Sequence, residues 1–108
     1  MINVIVYTAA DDRCPFTEWH SKIDRMARAR VDVAIDRLRA GNTGSLKGLG
    51  QGLHELRLTF GPGYRVYLDR EGDELIILLT CGTKKRQSAD IERARALWAD
   101  YNQEKEGG

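Results

Sequence analysis

The sequence predicts an α+β domain in which one sheet carries helices packed on one face. Three observations support this class. A run rich in β-branched residues opens the chain, a long amphipathic helical pattern follows it, and the second half holds three strand-like runs before a last helical pattern. A chain of 108 residues fits a single domain, 1–108, that can bury one core.

The first half is predicted to contain one strand and a helical stretch. The segment "INVIVYTA" (Ile2–Ala9) reads as the strand. Apolar residues then recur at steps of three to five from Pro15 to Ala40, Pro15 suits a first helical position and Gly41 suits a C-terminal stop. One long helix and two packed helices with a joint near 25–30 both fit this pattern. The following "AGNTGSLKGLGQG" (40–52), rich in glycine, is expected to be a loop.

The segment "ELRLTFGPGYRVYL" (55–68) is typical of two strands joined by a tight turn. If Gly61, Pro62 and Gly63 form a three-residue loop, Arg57 lies opposite Tyr67 and Thr59 lies opposite Arg65. Both arginines then lie on the face away from the core, one diagonal step apart. The opposite face carries the apolar residues Leu56, Leu58, Phe60, Tyr64, Val66 and Leu68.

The last strand and the last helix complete the predicted elements. "LIILLTC" (75–81) is an unbroken apolar run, typical of a central strand covered on both sides. A helix is expected to begin near Ser88, and its predicted apolar side is formed by Ile91, Ala94, Leu97, Trp98 and Tyr101.

Composition and charge exclude several classes of protein. The net charge is +1, although residues 19–50 carry seven Lys or Arg against three acids. The chain has no apolar run long enough to cross a membrane and no secretory signal pattern, so a cytoplasmic location is expected. Cys14 and Cys81 are far apart, without metal-ligand spacing, and are expected to be free thiols. No phosphate-binding or dinucleotide motif and no HExxH motif occurs, and no metal or cofactor is predicted.

The residues that point to chemistry are cations on the face of the sheet expected to be open. Arg57 and Arg65 could clamp a phosphate, because guanidinium binds phosphate through paired hydrogen bonds. Tyr67 could stack on a base. Further cations are expected to overhang this face: Lys47, Lys84, Lys85 and Arg86. Pairing of Arg57 with Glu55 or Asp69 fits the residues equally well.

Cleavage of RNA is a reaction that such a cluster could perform without a metal. A 2′-hydroxyl attacks the neighbouring phosphorus, and fixed cations stabilise the charge that develops on the phosphoryl oxygens. The sequence offers no obvious general base. His20 and His54 read as structural residues, and a lysine could serve only if its surroundings lowered its pKa.

Nearly the whole chain resembles the RelE/ParE toxin superfamily, and most closely its HigB-like "addiction module killer protein" branch. The residues that carry the resemblance are "ELR", "GPGYRVY" and the apolar strand that leads into "GTKKRQSADIERA". The resemblance implies an antiparallel four-stranded sheet with two N-terminal helices packed on one face and a C-terminal helix. It also implies a toxin of a toxin–antitoxin pair that cleaves mRNA on the ribosome.

The resemblance assigns roles to individual residues. It matches Arg65 to the arginine that stabilises the transition state, Arg57 to a supporting cation and Lys84 to a catalytic lysine after the fourth strand. Lys47 matches a lysine that binds phosphate or handles protons, and Tyr67, Lys85 and Arg86 are expected to bind RNA. One subgroup has a histidine where this chain has Cys81, so an acid or base of that subgroup is missing here.

Two other functions remain open at this point. Some members of the superfamily poison DNA gyrase by protein contact, and fold alone does not separate them from ribonucleases. An inactive relative that acts as a regulatory binding module is the third possibility. For each, the resemblance implies a helix-turn-helix antitoxin as partner, and for the ribonuclease also the ribosome and mRNA, with no membrane and no small-molecule cofactor.

Overall fold

The computed structural model describes residues 1–107, with side chains through Glu104, and within this range three helices pack around one five-stranded sheet. The α+β class is therefore confirmed. The strands are β1 (Asn3–Val6), β2 (Leu46–Gly50), β3 (Leu53–Arg57), β4 (Tyr64–Glu71) and β5 (Leu75–Thr83). The helices are α1 (Pro15–Lys22), α2 (Arg25–Arg39) and α3 (Gln87–Gly107), and a 3-10 turn at Lys84–Arg86 precedes α3.

The sheet differs from the predicted four antiparallel strands in two respects. Its order is β1-β5-β4-β3-β2, and β1 runs parallel to β5 whereas the other neighbours are antiparallel. The fifth strand, β2, lies in the glycine-rich segment predicted to be a loop, and it pairs with β3 from Leu46 opposite Leu56 onward. Because backbone hydrogen bonds need no apolar side chains, an edge strand can form from "LKGLG".

The helical stretch after β1 forms two helices that separate at Ile23 and Asp24. Ile23 has an extended backbone, and the Asp24 side chain caps α2 by accepting a hydrogen bond from the Ala27 amide at 2.9 Å. Helix α2 ends before Gly41, which has a φ of +94° and so takes the left-handed conformation that commonly ends a helix. The break therefore comes just before the region 25–30 in which it was expected.

Helices cover both faces of the sheet: the two N-terminal helices share one face, as the resemblance implies, whereas the prediction that all helices pack on one face is wrong for α3. Helices α1 and α2 contribute Phe16, Val31, Ile35 and Leu38 to a core against Leu56 and other sheet residues. Helix α3 packs on the opposite face through Ala94, with Ile91, Leu97 and Trp98 around it, against the sheet residues Leu53, Tyr67, Ile77 and Leu79. The expected apolar side of α3 is therefore confirmed, and it covers the face that was expected to be open.

Strand β5 contacts both layers, as its unbroken apolar run predicts. Leu78 belongs to the core beneath α1 and α2, whereas Leu79 belongs to the core beneath α3. The pairing of β4 with β5 shifts between Tyr67 and Leu68, so Tyr67 opposes Thr80 while Leu68 opposes Leu78. This bulge places Gly82 directly opposite Arg65, close to the start of α3. No helix in the described part of the chain has the length and hydropathy of a membrane span.

Candidate functional site

The two hairpin arginines lie side by side on the face that α3 covers. Arg57 in β3 is the direct partner of Arg65 in β4, and Leu58 donates a backbone hydrogen bond to the Tyr64 carbonyl at 2.9 Å. The register thus differs by two residues from the predicted one, because the connection between the strands is longer than Gly61–Gly63. A shift of two residues preserves the face of every side chain, so both arginines lie on the same side, as predicted.

The two arginines differ sharply in exposure. The Arg57 side chain is 51% exposed, whereas that of Arg65 is only 4% exposed. Nη1 of Arg65 donates to the Gly63 carbonyl at 3.0 Å, and of its nitrogens only Nε is both enclosed and without a hydrogen bond. The expectation that both arginines stand on an open face is therefore wrong for Arg65.

Glu55 forms the centre of the arginine pair. Its side chain is 1% exposed, and its Oε1 lies 3.5 Å from Nη2 of Arg57 and 3.5 Å from Nε of Arg65. Its other oxygen, Oε2, accepts a hydrogen bond from Nε2 of Gln87 in the first turn of α3 at 3.0 Å. The carboxylate therefore faces two cations at long ion-pair distances and one amide at an ordinary hydrogen-bond distance.

Two lysines complete the group that we call the cationic cluster: Lys47, Arg57, Arg65 and Lys84. Lys47 in β2 is exposed and opposes Glu55, so its side chain is on the same face of the sheet. The Lys84 amide donates to the Gly63 carbonyl at 2.9 Å, and this carbonyl also accepts from Arg65. Strand pairing and this shared carbonyl thus bring the four predicted cations into one region.

The remaining basic residues of the predicted site continue from this cluster. Lys85 and Arg86 follow Lys84 in the 3-10 turn, and all three side chains are exposed. The turn joins β5 to α3, so it projects the three cations from the end of the central strand. An anionic chain that reaches Arg57 would therefore find further exposed cations in the turn that begins next to Gly63 and Arg65.

Tyr67 does not lie on an open surface, contrary to the sequence prediction. Its side chain is fully buried beneath α3, and its hydroxyl has no hydrogen-bond partner. Burial, with a smaller contribution from the nearby Glu55 and Asp90 carboxylates, raises the pKa of Tyr67 to about 12. A base cannot stack on Tyr67 while α3 occupies this position.

Asp90 and Gln87 are residues of the site that the sequence analysis missed. Asp90 is 9% exposed, and its Oδ2 is enclosed without a hydrogen bond against Gly82, which has no side chain. Burial raises the pKa of Asp90, although Arg86 and Arg93 oppose the shift. Both residues belong to the first turn of α3, where polar residues are common, so nothing in the pattern marked them as part of a site.

A second feature is an open groove of about 780 Å³ between α2 and the end of β3. The exposed apolar residues Met26 and Val33 line one side, and Leu58 and Phe60 line the other. Arg30, Arg37 and Arg57 also line it, and none of the described residues that line it is acidic. The guanidinium of Arg30 lies over the Phe60 ring at 4.9 Å from its centroid.

The histidines and thiols of the chain do not form a metal centre in the part that the structure describes. His54 Nδ1 lies 2.8 Å from the Gly52 carbonyl, and His20 Nε2 lies 2.8 Å from Asp32. Among the side chains that the structure describes, through Glu104, no three His, Cys, Asp or Glu gather closely enough to hold a metal ion.

The fold and the site define a small α+β protein with a mixed five-stranded sheet, a pair of arginines of which one is exposed and one is buried, and further exposed cations nearby. No model of a protein family matches the chain. A protein of Haemophilus influenzae (strain ATCC 51907 / DSM 11121 / KW20 / Rd), named "Uncharacterized protein", is 42% identical over 83 residues, which are 76% of this chain and 84% of that relative. The chain belongs to the same family as this Haemophilus influenzae protein. That name assigns no activity.

Proposed function

We propose that the chain is the toxin of a type II toxin–antitoxin system and acts as a ribosome-dependent mRNA endoribonuclease of the RelE/ParE superfamily, in its HigB-like branch. The observation that carries the proposal is the cationic cluster, in which Arg57 and Arg65 are cross-strand partners and exposed lysines flank them. The proposal puts the protein in the cytoplasm, where ribosomes and mRNA are present.

The proposed chemistry is attack of an RNA 2′-hydroxyl on the adjacent phosphorus. The bond from phosphorus to the 5′-oxygen breaks, which leaves a 2′,3′-cyclic phosphate and a new 5′-hydroxyl. Arg65 Nη2 and the exposed Arg57 guanidinium stabilise the charge that grows on the phosphoryl oxygens. The proton of the attacking 2′-hydroxyl passes to solvent water, and Lys84, beside Arg65, donates a proton to the leaving 5′-oxygen, while Lys47, Lys85 and Arg86 hold the RNA backbone.

Substitution of Arg57 tests this proposal best, because its side chain is half exposed and its loss should leave the fold intact. Expression of the unaltered chain in a host without the cognate antitoxin should arrest growth. Primer extension should then reveal cuts within translated mRNA. Arg57→Ala should abolish both effects, whereas Arg25→Ala, which removes an exposed arginine of α2 outside the site, should change neither. Growth arrest with intact transcripts would remove the ribonuclease from consideration.

The burial of Arg65 favours a second candidate, a toxin that inhibits DNA gyrase by protein contact. A guanidinium that is 4% exposed and paired with Glu55 can have a purely structural role, which does not require contact with RNA. This candidate predicts DNA cleavage complexes and damage signalling while mRNA stays whole. Arrest of a strain whose gyrase is insensitive would exclude it, and an absence of any growth defect would favour an inactive relative.

The proposed partner is a helix-turn-helix antitoxin whose apolar, acidic segment fills the groove between α2 and β3. An acidic segment suits the groove because Arg30, Arg37 and Arg57 line it and no acid does so in the part of the chain with described side chains. Such a segment would also contact Arg57 of the cationic cluster and thereby compete with RNA.

Rescue of growth by the neighbouring open reading frame tests this partner. Co-expression should relieve arrest by the unaltered chain and by Ile5→Glu, which changes an apolar residue that is 40% exposed and lies outside the groove. Val33→Glu, inside the groove, should remain toxic. Equal rescue of both variants would show that the antitoxin binds elsewhere.

A further inference from the structure

We infer that Glu55 is the positioning residue for both arginines of the site, and that Gln87 of α3 fixes the direction of its carboxylate. This inference rests on the ribonuclease proposal for its consequence in catalysis. The observation behind it is that the two oxygens of the Glu55 carboxylate contact different partners. Oε1 lies 3.5 Å from each arginine, whereas Oε2 accepts a hydrogen bond from the Gln87 amide at 3.0 Å.

The arginine pair requires an anion at this point. Arg57 and Arg65 are direct cross-strand partners, and like charges in that arrangement repel each other. Arg65 is also buried, and a buried guanidinium is costly unless an anion and hydrogen bonds compensate it. Glu55 is two residues from Arg57 on the same face of β3, so its carboxylate reaches both cations.

The carboxylate holds the arginines without using up their donors. A guanidinium carries five N–H groups, and Glu55 approaches one nitrogen of each arginine at a distance longer than an ordinary hydrogen bond. Arg57 is half exposed, and the hydrogen bond of Arg65 to the Gly63 carbonyl uses Nη1 and leaves Nη2, so each arginine keeps donors for a phosphate.

Gln87 gives this carboxylate its orientation. A buried carboxylate held by two long ion pairs could rotate about its last torsion angle, and the amide on Oε2 opposes that rotation. Gln87 is the first residue of α3, and α3 is anchored to the sheet elsewhere by Arg95 on the Leu49 carbonyl and Trp98 on Asp69. Loss of the Gln87 amide should therefore loosen the arginines while α3 stays docked.

The experiment compares Gln87→Leu, which removes the amide at similar volume, with Tyr101→Phe, which removes the donor from α3 to Glu71 at 3.4 Å. Cleavage of mRNA on purified ribosomes is measured in single turnover over a range of toxin concentration. For Gln87→Leu, the maximal rate should fall roughly tenfold because misplaced groups lose catalysis steeply. The half-saturating concentration should stay within about twofold, because the cations that bind RNA are unchanged.

Tyr101→Phe should keep both quantities close to those of the unaltered chain. Glu55→Asp, which keeps the charge and retracts the carboxylate by one methylene, should lower the maximal rate as Gln87→Leu does. A fall confined to binding, or equal losses for Gln87→Leu and Tyr101→Phe, would overturn the positioning role.

Heteronuclear NMR of the arginine Nε–H groups separates this inference from the proposed function. Gln87→Leu should shift or broaden the Arg65 signal, and Tyr101→Phe should leave it in place. If the unaltered chain does not cut mRNA while the Arg65 signal responds in this way, the ribonuclease proposal fails and the positioning of the arginines stands. If the chain cuts mRNA and the Arg65 signal does not respond to Gln87→Leu, the positioning role fails alone.

Discussion

Arg57 and Arg65 are direct cross-strand partners in β3 and β4, and each guanidinium lies 3.5 Å from the same Oε1 of Glu55. Their environments nevertheless differ, because Arg57 is 51% exposed and Arg65 is 4% exposed. The same carboxylate therefore faces one cation at the surface and one in the interior. Two residues of one type in one hairpin should then respond differently to substitution.

Arg65→Ala should lower the free energy of unfolding by about 3 kcal/mol, because it leaves the buried Glu55 with one partner fewer. Arg57→Ala should cost less, about 1 kcal/mol or below, since Arg57 is half exposed and solvent screens its interaction with the buried Glu55, which keeps Arg65 as a partner. Urea unfolding followed by circular dichroism measures both. Equal losses for the two variants would mean that the arginines contribute alike to stability. The difference also matters for toxicity tests, because lost toxicity in Arg65→Ala can arise from unfolding.

Gly82→Ala should destabilise the fold by about 2 kcal/mol, because a methyl group there overlaps the Asp90 carboxylate and must displace the first turn of α3. Gly82 needs no unusual backbone angle, so the expected cost is steric. Asp90→Ala in the same chain should recover about 1 kcal/mol or more of the loss. Thermal unfolding of both single variants and the double variant gives the coupling free energy between positions 82 and 90. Additive losses would mean that Asp90 does not lie against Gly82.

The strands that the sequence predicts are those whose side chains carry a pattern. β5 is an unbroken apolar run, and apolar residues recur at every second position from Leu56 to Phe60 and from Tyr64 to Leu68, so the side-chain pattern marks these strands. β2 carries no such pattern, because Gly48 and Gly50 have no side chains and Lys47 is exposed. Only the pairing of its backbone with β3 makes it a strand, and composition does not report that pairing.

The face covered by α3 is the other point at which sequence reasoning failed. Periodicity identifies the apolar side of α3, but it does not show which face of the sheet that side covers. The apolar run of β5 did contain the signal, because Ile77 and Leu79 need a cover on the face opposite Ile76 and Leu78. That requirement conflicts with an open face at Tyr67, and the structure resolves the conflict in favour of burial.

The two thiols should react at very different rates. Cys81 is buried, and burial raises its pKa well above the usual value, so little thiolate forms near neutral pH. Cys14 is partly exposed and lies 3.3 Å from the Thr8 hydroxyl. Titration of the native protein with a coloured disulfide reagent should modify Cys14 alone, and unfolding should release Cys81. Rapid modification of a native Cys14→Ser variant would contradict the burial of Cys81.

Asp90 should make stability fall as pH rises through its titration. Burial raises the pKa of this carboxyl above its usual 3.8 in the folded state, so the folded chain binds a proton more tightly than the unfolded chain. Relative to Asp90→Asn, the unaltered chain should therefore lose stability as pH rises from about 3.8 through the raised pKa, and the difference should become constant above it. Urea unfolding of both proteins at several pH values measures that difference. The contributions of the other carboxylates cancel, because both proteins contain them. A relative gain in stability with rising pH would show that Arg86 and Arg93 stabilise the charged form more than burial opposes it.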